Sequence, residues 1–210
     1  MHLFGSIWAR KEIPHTWHVA RIAAIFKKGN SRDCANYRPI ALLNASYKLF
    51  ASILFNRLKA ANVDQSLSPT QFGFRKGSSV NHALFMARRF IDCALVKKDG
   101  KLVALALDWS KAFDSIMLES MYFALSRLGV PHDFVSMIKA IYTSRAFFVQ
   151  CSSHDSSRRV QYAGICQGCP LSPFLFIMVM DVLMKDARSI LRGHIGDLAD
   201  KVQVILWPDV

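Results

Sequence analysis

Long apolar runs are missing from this chain: the longest, Phe174 to Met180, has seven residues and is stopped by Asp181. A helix that crosses a bilayer needs about 20, so no membrane span is expected. The opening residues, MHLFGSIWARKEIPHTW, lack the charged, then apolar, then small-residue succession of a secretory leader. Repeats, low-complexity tracts and long linkers are absent too, which fits one domain or two closely packed subdomains. Cysteine is sparse and odd in number, at positions 34, 93, 151, 166 and 169. That pattern predicts reduced thiols and an intracellular, soluble protein. Cys166 and Cys169 form a C-x-x-C with no second pair or nearby His, so a zinc site is not expected.

Acidic residues are scarce in one half only. Residues 1–100 hold 16 Lys and Arg against 5 Asp and Glu, whereas residues 101–210 hold 11 against 10. A basic half of this kind suits a polyphosphate partner, because each cation near a phosphate releases a condensed counterion. A well-solvated basic surface is the alternative on charge alone. Anionic membrane is a weaker third option, since no strongly basic amphipathic helix stands out. The 52% apolar content excludes a disordered chain.

What is present alternates between the two secondary-structure periods. RIAAIF (21–26) reads as a strand, residues 27–39 as a polar loop, and Ile40 to Ala60 as an amphipathic helix. A loop over 68–79 leads to a helix over Val80 to Val96. LVALAL (102–107) predicts a buried strand, 117–129 and 131–144 two helices, and AFFVQCS and RRVQYAG a strand pair joined by SHDSS. Residues 172–193 predict a long helix capped by Ser172 with Pro173 in its first turn. KVQVILWPDV reads as a final strand. Strands mixed with segregated helices define an α+β fold.

Asp108 stands where the predicted strand 102–107 ends. A strand end fixes a backbone while its side chain points into a cleft, which suits a metal ligand. An Asp capping the following turn is the plainer reading of that residue in isolation.

Four segments, in order, carry a resemblance. LVALALDWSKAFDSI (102–116) resembles the first catalytic motif of reverse transcriptases of non-LTR, LINE-type retrotransposons. AGICQGCPLSPFLFIMVMDVLM (163–184) resembles the next core motif, with its Gln-Gly-x-Pro-Leu-Ser-Pro string. IFKKGNSRDCANYRPIALLNASYKLFASILFNRL (25–58) resembles the fingers segment, and QFGFRKGSS (71–79) the stretch that follows it. Group II intron and retron enzymes are the nearest alternatives.

The resemblance implies a right-hand polymerase fold. Residues 1–100 would form the fingers and N-terminal region, and 101–210 a partial palm that stops at the catalytic hairpin, with the thumb absent. It implies RNA-directed DNA synthesis by nucleotidyl transfer with two Mg²⁺ ions (Mn²⁺ in their place), held by carboxylates from separate chain segments. Asp108 would be the first of these. Implied partners are an RNA template, a DNA primer and deoxynucleoside triphosphates, bound by a monomer with no membrane contact. In a full-length element the setting would be a ribonucleoprotein in nucleus or cytoplasm. Lys27, Lys28 and Arg38 match positions that neutralise the triphosphate, with a solvated turn as the rival reading for the two lysines. Phe113 matches the gate beneath the incoming sugar, with an ordinary core Phe as the rival. Gln167 and Gly168 match the loop beside the templating base pair, and Arg75 and Lys76 would touch the template backbone. Asp114 reads as a turn or salt-bridge residue.

The pattern breaks at the end. Trp207, Pro208, Asp209 and Val210 align with a Tyr/Phe-Ala-Asp-Asp hairpin, leaving Asp209 as the one matching acid and second metal ligand. Pro208 lacks the amide hydrogen that a tight hairpin uses. A weakly active or inactive fragment, or a non-catalytic nucleic-acid-binding relic, is therefore expected.

Overall fold

A computed structural model describes residues 2–151, 154–196 and 201–206. Helix α1 (His2–Arg10) packs Phe4 against Phe50, with ring centroids 5.5 Å apart, and Trp8 against Phe134 at 5.7 Å. Strand β1 (Val19–Phe26) pairs antiparallel with β2 (Tyr37–Leu42), in a register that sets Ile25 opposite Arg38. On its other side β1 runs parallel to β3 (Ala146–Cys151), with Val19 opposite Ala146. The sheet order is β2-β1-β3-β4, with β4 (His154–Asp155) and β5 (Arg159–Val160) both paired to β3.

β2 corrects the predicted helix over 40–60. Asn44 is the reason: its side chain accepts the Ser46 amide at 2.9 Å, so helix α2 starts at Ala45 and runs to Ala60. Ile40 to Leu43 fits either period, and the cap decides between them. Pro39 is tolerated within β2 because β2 is an edge strand.

The predicted pair over 146–152 and 158–164 is also refined. The returning chain is split into β4 (His154–Asp155) and β5 (Arg159–Val160). Between them the Ser156 hydroxyl accepts the Val149 amide at 2.9 Å, so a side chain replaces a rung of the ladder.

Helices α3 (Val80–Leu95), α4 (Leu118–Arg127), α5 (His132–Tyr142) and α6 (Ser172–Ile195) agree with the sequence reading to within a few residues. The core gathers α2, α4, α5 and α6 around Leu54, Leu125, Ile138, Leu175 and Ile177. Ser172 turns its hydroxyl to Tyr142 at 3.3 Å instead of capping its own helix. Asp181, fully buried in α6, accepts the Ser68 amide at 2.8 Å and lies 2.7 Å from the Lys185 ammonium. That carboxylate anchors the start of the 68–79 loop to the core.

Two predicted strands are not formed among the described residues. Residues 101–109 carry no regular structure, and Val103 and Leu105 are 92% and 80% exposed. A strand needs a neighbour for its amides and carbonyls, and none of the described strands flanks this run. The final segment contributes one parallel bridge, Gln71 to Leu206, within its described residues 201–206. No helix of the described residues is long and apolar enough to cross a membrane.

Candidate functional site

The best-built part of the site is the Gln167–Gly168 turn, which sits on the outer edge of β2. The Ala41 amide donates to the Gln167 carbonyl at 2.9 Å. Gly168 has φ +107°, and a Cβ there would stand 2.7 Å from the Ala41 carbonyl oxygen. Glycine is therefore required twice over at this position, for its backbone angle and for the close approach.

The same turn is joined to the segment after Asp108. Backbone bonds run from the Gly164 amide to the Ile116 carbonyl at 2.7 Å and from the Ile165 amide to the Phe113 carbonyl at 2.8 Å. A Cβ on Gly164 would meet the Asp114 backbone at 2.9 Å. The Gln167 side-chain amide donates to Asp114 Oδ1 at 3.5 Å, a long bond by ordinary criteria. Burial raises the Asp114 carboxyl above its usual range, and the Gln167 bond, Lys111 and Lys27 oppose that rise. The structure brings together Phe113, Asp114, Gln167 and Gly168.

Lys27 and Arg38 share one face of the β1–β2 hairpin, since Ile25 faces Arg38 and the face alternates every second residue. Both are exposed, as is Lys28 in the turn.

Phe113 is half-buried and stacked flat on Phe176 of α6, with centroids 4.7 Å apart and planes 9° from parallel. Phe74 meets it edge-on at 6.4 Å. Phe113 thus packs against the core.

Arg75 is placed otherwise than the sequence reading proposed. Its guanidinium donates to the carbonyls of Ser68 at 3.0 Å and of Gln71 and Asp64 at 3.4 Å. It clamps the loop to which it belongs, while Lys76 beside it is exposed.

Asp108 is exposed and forms no hydrogen bond or ion pair among the described residues. The buried strand meant to carry it is not formed, so its carboxylate is not fixed toward a cleft. Asp209 lies outside the described residues. Among those described, no group of three or more His, Cys, Asp or Glu side chains converges to hold a metal ion. The donors present do not complete a two-ion site.

Sequence reasoning missed the layer beneath the turn. Arg145, 1% exposed, donates to the Tyr47 hydroxyl at 3.3 Å, and that hydroxyl is 3.2 Å from Cys169 Sγ. Cys166 and Cys169 are free and buried, and burial pushes the Cys166 thiol up to about 11. Nothing in TSRAFF marks its arginine as internal. The Cys-x-x-Cys spacing is the one visible signal, and without a second pair or nearby His it says nothing of an arginine beneath it.

Residues 25–209 match the family model described as reverse transcriptase (RNA-dependent DNA polymerase). The chain is 31% identical over 205 residues to the Retrovirus-related Pol polyprotein from type-1 retrotransposable element R2 of Popillia japonica, covering 95% of this chain and 28% of that protein. It is 29% identical over 176 residues to the Probable RNA-directed DNA polymerase from transposon BS of Drosophila melanogaster, covering 83% of this chain and 19% of that protein. It is 29% identical over 178 residues to the RNA-directed DNA polymerase from mobile element jockey of the same fly, covering 83% and 19%. The chain thus spans less than a third of the length of these curated relatives.

Proposed function

The chain belongs to the reverse transcriptase (RNA-dependent DNA polymerase) family, and we propose that it supplies the nucleotide-receiving half of a LINE-type RNA-directed DNA polymerase. One observation carries the reading. The Gln167–Gly168 turn, the Asp114 turn and the Lys27-bearing hairpin are joined by direct bonds. A deoxynucleoside triphosphate fits that arrangement, with its phosphates toward Lys27 and Arg38 and its base and sugar toward Gln167, Gly168 and Phe113. Lys76 and the wider basic surface of residues 1–100 would track the RNA template and the DNA primer. In this reading residues 1–100 are the fingers and 101–210 part of the palm of a right-hand polymerase, working as a ribonucleoprotein in nucleus or cytoplasm.

Divalent metal ions serve this family generally, and the proposal gives Asp108 and Asp209 as the carboxylates that would hold Mg²⁺. Ions held by those carboxylates would supply Lewis-acid activation of an attacking hydroxyl and charge neutralisation at a leaving pyrophosphate. What the chain's own residues do is bind and orient. The cationic hairpin attracts the triphosphate, the Gln167 amide presents hydrogen-bonding groups to the nucleotide, and Gly168 admits close backbone approach.

The test measures binding and synthesis separately. The chain should bind an RNA–DNA primer-template with an affinity that falls steeply with salt, as phosphate contacts require. Lys27→Glu should weaken triphosphate binding about tenfold or more, by reversing a charge beside the phosphates. Primer extension with Mg²⁺ or Mn²⁺ should give little product until 101–109 is ordered, and Asp108→Asn should give none. Robust synthesis by Asp108→Asn would refute the role given to that acid. Salt-independent or absent binding would refute the nucleic-acid reading. Strong salt-dependent binding without any triphosphate affinity would favour a non-catalytic binding module.

A further inference from the structure

Arg145 is the most expensive residue in the core. It is 1% exposed, its Nε and Nη2 have no hydrogen-bond partner among the described residues, and no carboxylate there pairs with it. Its guanidinium lies between two rings, 5.4 Å from the centroid of Tyr47 and 5.5 Å from that of Tyr142. Burial works against the charge, but the Tyr47 hydroxyl accepts from it and a guanidinium does not give up its proton in proteins, so the group stays cationic. An apolar side chain of similar volume would fill the same space without desolvating a charge. Stability alone therefore does not account for an arginine.

Its bonds point elsewhere. Arginine only donates, so the Tyr47 oxygen accepts from Nη1 and its own proton is free for Cys169 Sγ, 3.2 Å away. The Arg145 carbonyl accepts the Gln161 amide at 2.8 Å. The Gln161 side chain in turn donates to the carbonyls of Ala163 and Gly164 at 3.1 and 3.0 Å. On the other flank, the Tyr142 hydroxyl meets Ser172 at the start of α6. Every strand of this network ends on the segment 163–172, on either side of Gln167 and Gly168.

We propose that Arg145, held between Tyr47 and Tyr142, is a positioning residue that keeps the Gln167–Gly168 turn in the shape that receives the incoming nucleotide. The link to the nucleotide rests on the function proposed above; the clamp itself does not. The cation–ring contacts fix the Tyr47 hydroxyl, the hydroxyl fixes Cys169, and Cys169 ends the turn, its amide donating to the Cys166 carbonyl at 3.3 Å.

The cysteines supply the readout. Cys34 and Cys93 are exposed, whereas Cys166 and Cys169 are 5% and 3% exposed. Native alkylation of the 210-residue chain with iodoacetamide, followed by mass spectrometry, gives the rate at Cys169 relative to Cys93. Arg145→Met keeps the volume and removes the charge, and Tyr47→Phe removes one hydroxyl. Both should raise the relative rate at Cys169 by about tenfold, the equivalent of one lost hydrogen bond. Affinity for a fluorescent deoxynucleoside triphosphate should fall by a similar factor. The melting temperature of Arg145→Met should stay level or rise, where a purely structural arginine would lower it. Should Arg145→Met fail to fold, Tyr47→Phe decides alone. A folded Tyr47→Phe whose Cys169 remains as protected as in the parent chain overturns the clamp. A parent chain with protected thiols and no triphosphate affinity overturns the nucleotide reading instead, and the alkylation rates of the variants still decide the clamp.

Discussion

Asp108 and Gln167 belong to one proposed site, yet the molecule holds them in opposite ways. Gln167 sits on a turn bonded to β2, pressed against Ala41, tied to the Asp114 turn and backed by a Tyr–Arg–Tyr layer. Asp108 follows an apolar run that lies in the open, without a strand partner among the described residues. A motif can thus be unmistakable in sequence while the support it needs comes from somewhere else. The Gln167 turn draws its support from β2, α2 and β3, all of which are described. The acid draws its support from neighbouring strands, and the described residues provide none.

The largest test of this contrast is thermodynamic. Leu175→Ala empties a site that is 0% exposed, and should cost about 3–5 kcal/mol in urea denaturation. Leu105→Ala, at 80% exposure, should cost less than about 0.5 kcal/mol. If the two costs are similar, the run is packed and the comparison breaks. Next in size is Gly168→Ala. Its φ of +107° and its clash with Ala41 at 2.7 Å should destabilise the fold by about 1–3 kcal/mol, read by the same method.

A smaller effect concerns pH. The Asp114 carboxyl is raised above 3.8 by burial, so the folded chain holds that proton more tightly than the unfolded chain does. Its contribution to stability is complete below 3.8 and is lost as pH rises through the raised value. Asp114→Asn lacks this loss, so the variant should gain on the parent as pH rises from below 3.8 through the raised value. Solvent screening at a half-exposed group keeps the gain modest. A difference that stays constant across that range would remove the burial argument. Smallest of all is Arg88→Ala. It removes an exposed i,i+4 pair with Asp92 at 2.9 Å and should change stability by less than about 0.5 kcal/mol.

Much of the fold was legible because local signals were sufficient for it. The periodicity of 80–96 and the Pro173 start of α6 needed no distant partner. The element β2 was missed because Ile40 to Leu43 fits two periods, and only the Asn44 cap separates strand from helix. The run 102–107 was read as buried from its composition, but burial is a property of what surrounds a segment. Gln167, Gly168 and Phe113 stand out by their motifs, and only the backbone bonds of Gly164 and Ile165 to Ile116 and Phe113 show that their segments meet. Arg75 turned inward onto carbonyls, which no spacing could announce.

By itself the sequence determined the family, the order of the motifs, the basic first half and most helices, since each is written in residue types at short spacing. The tertiary structure alone decided that Gln167 reaches Asp114, that Gly168 abuts Ala41, that Asp108 stands exposed, and that Arg145 lies under the Gln167 turn. The physical reason is range. Propensity and capping act within a few residues, whereas Tyr47 and Cys169 are 122 residues apart along the chain and meet only when the core closes around them.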